Sequence, residues 1–187
     1  MAMQPDRRAW ENQLLELMVR YQQGDPTAVE ELMKRLSGTL MRFLGAPRLS
    51  KSDTEDLFQE CWMRIHRSRH TYRPAEPVLP WIFAIARHTR LDGYRRRRRR
   101  ESHEILVANP PETFSRTQQT PAAERPEFDR LLESLPETQK EVILMLKVSG
   151  MSLEEVARAT SSTVGAIKQK AHRAYEKLRV VLEKERA

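Results

Sequence analysis

Asp53, Glu55, Asp56 and Glu60 fall within one short segment, and such a cluster has two uses. It can hold a magnesium ion for nuclease chemistry, with Asp53, Asp56 and Glu60 as ligands, or it can form an acidic helix face that another protein grips. Nearby, Cys61, His66 and His70 have spacings that invite a metal, but Cys61 belongs to an apolar stripe and no fourth ligand completes a zinc set. His103-Glu104 is followed by Ile105, Leu106 and Val107, without the second histidine of a zinc-protease helix. Neither a glycine-rich phosphate loop nor a Ser/His/Asp pattern is present. The expectation is therefore no catalytic residue, no cofactor, no bound metal and no small-molecule substrate.

The basic residues make a stronger pattern. The chain carries a formal net charge of +7 with a pI near 9.8, which favours contact with a polyanion, and nucleic acid is the commonest one. Tyr94 is followed by an unbroken arginine run, Arg95 to Arg100. Consecutive arginines point all round a helix, so they suit phosphate neutralisation rather than base reading. A run kept for solvation or as a localisation signal fits the same residues. In His70-Thr71-Tyr72-Arg73-Pro74 and Pro80-Trp81-Ile82-Phe83, aromatic and basic groups together can stack on an unpaired base. Trp81, Ile82 and Ile85 have the spacing of core residues, which leaves Tyr72 and Arg73 as the better contact candidates. Between Met151 and Arg179 a short helix, a polar turn and a longer basic helix have the form of a helix-turn-helix. If Val164, Ile167, Ala171 and Ala174 turn inward, then Thr163, Lys168, Gln169, His172 and Arg173 turn outward. Gln pairs bidentately with adenine, and Lys and Arg favour guanine or phosphate. The plain alternative is a surface helix solvated by its own charges.

These groups need helices to position them. Trp10, Leu14, Leu17, Met18 and Tyr21 share one helical face. Asp25 can cap the next helix and Pro26 fits its first turn, after which Val29, Leu32, Met33, Leu36, Leu40, Phe43 and Leu44 form one stripe. Ser52 to Glu55 reads as a capping box ahead of Leu57, Phe58, Cys61 and Ile65. An irregular loop from Ser68 to Pro80, with prolines at 74, 77 and 80, precedes a fourth helix that starts near Leu79 and enters the arginine run. Residues 1–100 thus predict a four-helix domain. Residues 101–126 carry Pro110, Pro111, Pro121 and Pro126 with little periodicity, as a flexible linker does. Residues 127–187 predict a second small domain: a short helix from Phe128, another opened by Pro136 and stopped by Gly150, a capping box at Ser152 to Glu155, and a last helix from Val164 to Leu182. The fold class expected is all-α, two small helical domains joined by the linker. One cysteine allows no intramolecular disulfide, Met1 to Glu11 has no apolar stretch of a secretory signal, and no run is long and apolar enough for a membrane span, so the expected location is the cytoplasm.

At this point a resemblance enters. Asp53-Thr54-Glu55-Asp56-Leu57-Phe58-Gln59-Glu60 with Arg64 resembles the DxEDLxQExxxR signature of extracytoplasmic-function sigma factors. Pro80-Trp81-Ile82-Phe83-Ala84-Ile85-Ala86-Arg87-His88, running to Asp92, Tyr94 and the arginines, is similar to the family's WLxxIARNxxxDxxRRxxR helix. Leu135 to Val142 resembles the LPxxxRxV opening of its second domain, and Met151 to Ala157 with Thr163 to Lys168 resembles its helix-turn-helix. The resemblance spans roughly Ala9 to Leu182.

It implies a polymerase-binding set of Asp53, Asp56, Leu57, Gln59, Glu60 and Arg64, gripping the clamp of core RNA polymerase. It implies contact with the minus-ten element of promoter DNA by Tyr72, Arg73, Trp81, Arg87, His88, Arg90, Arg95 and Arg96, with a flipped base captured from the non-template strand. Ser162, Thr163, Lys168, Gln169, His172 and Arg173 would read the minus-thirty-five element, with the second domain touching the polymerase flap and the linker following the RNA-exit path. It further implies a stress response held in check by an anti-sigma factor, which can be membrane-tethered. The rival from the residues alone is a dimeric helix-turn-helix regulator of an operator.

Overall fold

The computed structural model describes residues 7–45, 49–107 and 127–186, and among them every regular element is helical. The first is α1, Arg7–Gln22, and the second is α2, Pro26–Leu44. Asp25 joins them as predicted: its side chain accepts from the Thr27 N–H, and Pro26 takes the first helical position, where a missing N–H is no loss. Gly24 makes the turn at φ +91°.

Helix α3, Lys51–Ser68, is capped two residues before the expected box. Its cap is Ser50, whose hydroxyl oxygen accepts from the Asp53 N–H at 2.9 Å while the Asp53 carboxylate accepts from the Ser50 N–H. Ser50/Asp53 and Ser52/Glu55 share the same spacing, so the local pattern permits either register. In the observed register the Thr54 hydroxyl also donates back to the Ser50 carbonyl. A short 3-10 turn, Arg69–Thr71, leads to α4, Val78–Val107. At 30 residues α4 is about 45 Å long, and its backbone passes beyond Arg100 into the segment read as linker. Arginine and glutamate are good helix formers and no proline stops them before Pro110. The remainder of the expected linker, residues 108–126, lies outside the described residues.

Leu14, Met18, Leu32, Leu36, Leu40, Phe43, Leu44, Cys61, Ile65, Leu79, Ile82 and Phe83 fill the core of these four helices, all essentially without solvent contact. The Phe43 and Phe83 rings meet edge to face at 5.0 Å.

The second group comprises α5 (Glu127–Glu133), α6 (Glu137–Ile143), a π turn (Leu144–Val148), α7 (Leu153–Ala159) and α8 (Val164–Arg186). Gly150 follows the π turn at φ +65°, the left-handed position that glycine takes after a helix. Leu132, Leu135, Val142, Ile143, Leu144, Met145, Val156, Ile167 and Ala174 are buried. The two groups touch: α7 packs on α4, the π turn lies against α2, and one apolar cluster runs through both.

Candidate nucleic-acid interface

Helices α3 and α4 cross where α4 has no side chain. A Cβ at Gly93 would lie 2.6 Å from Leu57 Cδ2, so the close approach depends on glycine. It also turns Leu57 inward, at 8% exposure. Of the six residues expected to meet polymerase, Asp53, Asp56 and Gln59 are exposed, Leu57 is buried, and Glu60 and Arg64 are half-buried. The last two are held by α4. Arg64 donates through Nη1 to Asp92 Oδ2 at 2.7 Å and through Nη2 to Glu60 Oε1 at 2.5 Å. Arg96 donates to the other Glu60 oxygen. Arg97 lies 3.9 Å from Asp53 and Arg95 3.8 Å from Asp92. Part of the arginine run therefore lies against the acidic segment. Burial works to raise the Glu60 pKa, but hydrogen bonds from Arg96 and Arg64 outweigh it and hold the carboxyl below its ordinary value. The Arg64 hydrogen bond does the same for Asp92.

This pairing bears on the nuclease alternative. Two guanidiniums engage Glu60, while Ser50 and Arg97 engage Asp53. No group of three His, Cys, Asp or Glu residues among those described is arranged to hold a metal ion. His66 Nδ1 is 2.8 Å from the Tyr21 hydroxyl, and Cys61 is buried. Burial pushes the Cys61 thiol up to about 12, against an opposing hydrogen bond with Thr89, so the reactive thiolate is scarce at neutral pH.

Around α4 the structure differs from the expectation for Tyr72. That ring is 3% exposed and meets Trp81 edge to face at 5.6 Å, and its hydroxyl donates to the Glu76 carbonyl at 2.5 Å. Gln22 of α1 holds the loop from behind, donating to the carbonyls of Arg69 and Tyr72 at 2.7 and 2.9 Å. Tyr72 here seals the loop and presents no stacking face to solvent. Trp81 is half-buried; Arg73, His88, Arg95 and Arg96 are exposed. Arg87 and Arg90 point toward the second domain. Arg87 Nε stands 2.6 Å from Glu141 Oε1 as a close ion pair, Arg90 pairs with Glu137, and the Arg90 guanidinium lies 5.5 Å from the centre of the Phe43 ring.

Helix α7 opens on the capping box read from sequence, with Ser152 and Glu155 exchanging bonds at 3.2 and 2.6 Å. Ser161 turns the chain at φ +52°, and the Thr163 hydroxyl caps α8 by accepting from the Ala166 N–H at 3.2 Å. Ile167, Ala171 and Ala174 face inward. Thr163, Lys168, Gln169, His172 and Arg173 are exposed and Ser162 is half-buried. The first turns of the helix therefore present a polar, basic face, while farther along Tyr175 and Val180 are exposed apolar side chains.

Known proteins share this chain's sequence as well as its helices. Residues 28–100 match Sigma-70 region 2 and residues 125–178 match Sigma-70, region 4. The ECF RNA polymerase sigma factor SigF of Caulobacter vibrioides is 34% identical over 173 residues, covering 90% of this chain and 93% of its own. The chain belongs to the extracytoplasmic-function sigma factors. RNA polymerase sigma factor CarQ of Myxococcus xanthus is 30% identical, over 88% of this chain and 95% of its own.

The fold of this sigma factor is that of CnrH, solved with the cytosolic domain of CnrY, at a TM-score of 0.68, 22% identity and coverage of 92% and 98%. It is also that of the sigma factor RpoE, solved with the anti-sigma factor NepR from Bartonella quintana, at 0.66, 22% identity and coverage of 83% and 96%. The family is one of transcription initiation factors. Two sets of acidic residues in the sigma factor take roles that the sequence analysis does not assign. Glu11 of α1 accepts from the Val78 N–H at 2.6 Å and so caps α4, with burial raising its pKa. Glu137 and Glu141 had no role until α4 was placed opposite them. No short motif announces either, because both partners are distant in sequence.

Proposed function

We propose that this sigma factor brings core RNA polymerase to promoters through three surfaces, without catalytic chemistry of its own. The exposed acids of α3, Asp53 and Asp56, with Gln59 beside them, meet the clamp. Glu60 and Arg64 hold α3 and α4 in register behind that face. The edge of α4 and the loop before it take the minus-ten element, with Arg73, His88, Arg95 and Arg96 as contacts available in this conformation. Helix α8 reads the minus-thirty-five duplex through Ser162, Thr163, Lys168, Gln169, His172 and Arg173. The functional units are residues 1–100 and 127–187, with 101–126 as the tether between them, passing along the RNA-exit path while the second unit touches the flap.

The observation that carries the reading is the register of α8. Ile167, Ala171 and Ala174 of its first half are buried, and Lys168, Gln169, His172 and Arg173 are exposed, the arrangement that major-groove entry needs. No helix among the described residues is long and apolar enough to cross a membrane. We place the protein in the cytoplasm and on the nucleoid when active, because polymerase and promoter are there. An anti-sigma factor, free or membrane-tethered, is the partner we assign to the resting state, and a stress response is the setting; the RpoE relative of this fold was solved with such a partner.

Transcription in vitro with purified core polymerase over fragmented genomic DNA tests this directly. Discrete 5′ ends sharing two upstream elements, absent without the protein, are expected. No specific starts, from a core enzyme shown active with another sigma factor, would overturn it.

A further inference from the structure

Helix α1 carries none of the residues assigned above to polymerase or DNA, yet it grips the loop before α4 at both ends. At the entry, Gln22 Nε2 donates to the carbonyls of Arg69 and Tyr72 at 2.7 and 2.9 Å. At the exit, the Glu11 carboxylate accepts from the Val78 N–H at 2.6 Å. Three helical turns take about 11 residues, so positions 11 and 22 share one face of α1, roughly 16 Å apart. The end of α1 is itself fixed. Arg20 donates to Asp25 through Nε and Nη2 at 2.9 and 2.7 Å, and the Tyr21 hydroxyl stands 2.8 Å from His66 Nδ1 near the end of α3. Within the loop, the Tyr72 N–H donates to the Arg69 carbonyl and the Glu76 N–H to the Arg73 carbonyl, while Pro74 and Pro77 have no N–H to give. The turn from Arg73 to Glu76 is exposed throughout.

We infer that Gln22, with Glu11 behind it, is a positioning residue for minus-ten selectivity: α1 is a strut that fixes the shape in which the Arg73–Glu76 turn meets the strand. The inference rests on the reading that this loop takes the minus-ten element, and it adds what sets the loop's shape. The chemistry suits glutamine. Both partners are carbonyl oxygens, which only accept, so the amide must turn its NH2 toward them and spend both of its donors there. A carboxylate in its place would meet two oxygens with two more. One side chain thereby ties the Arg69 carbonyl, where the 3-10 turn begins, to the Tyr72 carbonyl, one residue before the exposed turn. With the entry tied by Gln22 and the exit by Glu11, Arg73 is presented from a loop whose ends cannot drift. A contact group held in place discriminates between bases better than one that can follow either.

The test uses holoenzyme assembled from core polymerase and the full chain. A promoter found by 5′-end mapping is randomised at each element in turn, and barcoded transcripts report which templates are used. Gln22→Met keeps the length of the side chain and removes both donors. It should lower the preference for the best minus-ten bases roughly tenfold, as loss of two hydrogen bonds allows, and leave the minus-thirty-five preferences unchanged. Gln22→Lys keeps donors at that place and should retain the wild-type profile. Amide hydrogen exchange in the free chain reads the loop without DNA. In Gln22→Met, Tyr72 and Glu76 should exchange roughly tenfold faster, while Val78, still held by Glu11, keeps its rate. A minus-ten profile equal to wild type, a loss shared by both elements, or the same loss in Gln22→Lys would overturn the strut. Equal acceleration at Val78 would do so too, since it marks a general loosening. Gln22→Ala gives the same reading if the methionine disturbs folding. Absence of specific starts with the wild-type chain would reject the sigma reading, while the exchange rates still decide whether Gln22 holds the loop.

Discussion

Lys168 and Arg173 stand exposed on α8, on either side of Gln169 and His172 in the sequence. Their removal should leave the fold intact. Lys168→Ala and Arg173→Ala are each expected to weaken binding to an upstream promoter duplex by about 1–3 kcal/mol if they meet bases or phosphates. Titrating a promoter found by 5′-end mapping measures it, and wild-type affinity in both variants would remove these residues from the interface. Gly93 makes the opposite kind of prediction, about packing alone. Gly93→Ala drives a methyl toward Leu57 Cδ2 and should cost roughly 1–3 kcal/mol of stability by overpacking. Because the atom it meets is the tip of one side chain, Leu57→Ala in the same chain should recover much of that loss. Additive losses in a double-mutant cycle by urea unfolding would mean that the strain lies in the backbone. Lys168 and Arg173 were legible from helical period. Gly93 was not, since nothing local distinguishes a glycine at a helix crossing from a tolerated one. Tyr72 misled for a related reason: a proline-bounded loop reads as exposed, while Gln22 and Trp81, which close it, belong to other helices.

At the scale of elements, caps and stops were legible wherever one local solution exists. Asp25-Pro26 and Ser152/Glu155 begin α2 and α7 as their spacing requires, and Gly150 ends the π turn. Ser50 and Ser52 offered two overlapping boxes, and side-chain chemistry alone does not choose between them. The length of α4 was misjudged because a shift in composition is not a helix stop; only proline or a cap would have been one. The α2 cap carries a pH dependence of known sign. Hydrogen bonds from Thr27, then Arg20, hold the Asp25 carboxyl at about 2, below its usual 3.8. A carboxyl with a lowered folded pKa adds stability that is fully present above about pH 4 and is lost as pH falls through about 2. Asp25→Asn keeps an oxygen acceptor for the cap and has no charge to titrate. The difference in melting temperature between wild type and Asp25→Asn should therefore shrink as pH falls from 4 to 2. A constant difference across that interval would show that the Asp25 charge contributes nothing to α2.

At the scale of the whole molecule, the two domains and their all-helical class follow from periodicity and from the proline-rich break, yet their mutual placement does not. The pairs Arg87–Glu141, Arg90–Glu137 and Arg7–Glu155 join residues far apart in sequence, and no period or motif in one chain connects them. An excess of +7 predicts an open, self-repelling molecule as readily as a closed one; what closes it is where the charges sit. The seam has two components with different responses to salt. Its ion pairs are partly exposed and weaken once the screening length falls to about 3 Å near 1 M salt, whereas the apolar cluster shared by both domains does not weaken with salt. If the ion pairs hold the domains together, calorimetry of the wild-type chain at low salt should give one cooperative transition, because neither domain can unfold without baring the other's charges. Glu137→Gln/Glu141→Gln, or wild type in 1 M sodium chloride, should then give two transitions, one per domain, with the less stable domain melting first. Persistence of a single transition in both cases would assign the closure to the apolar cluster, and the charges would then set only the register in which the two domains meet.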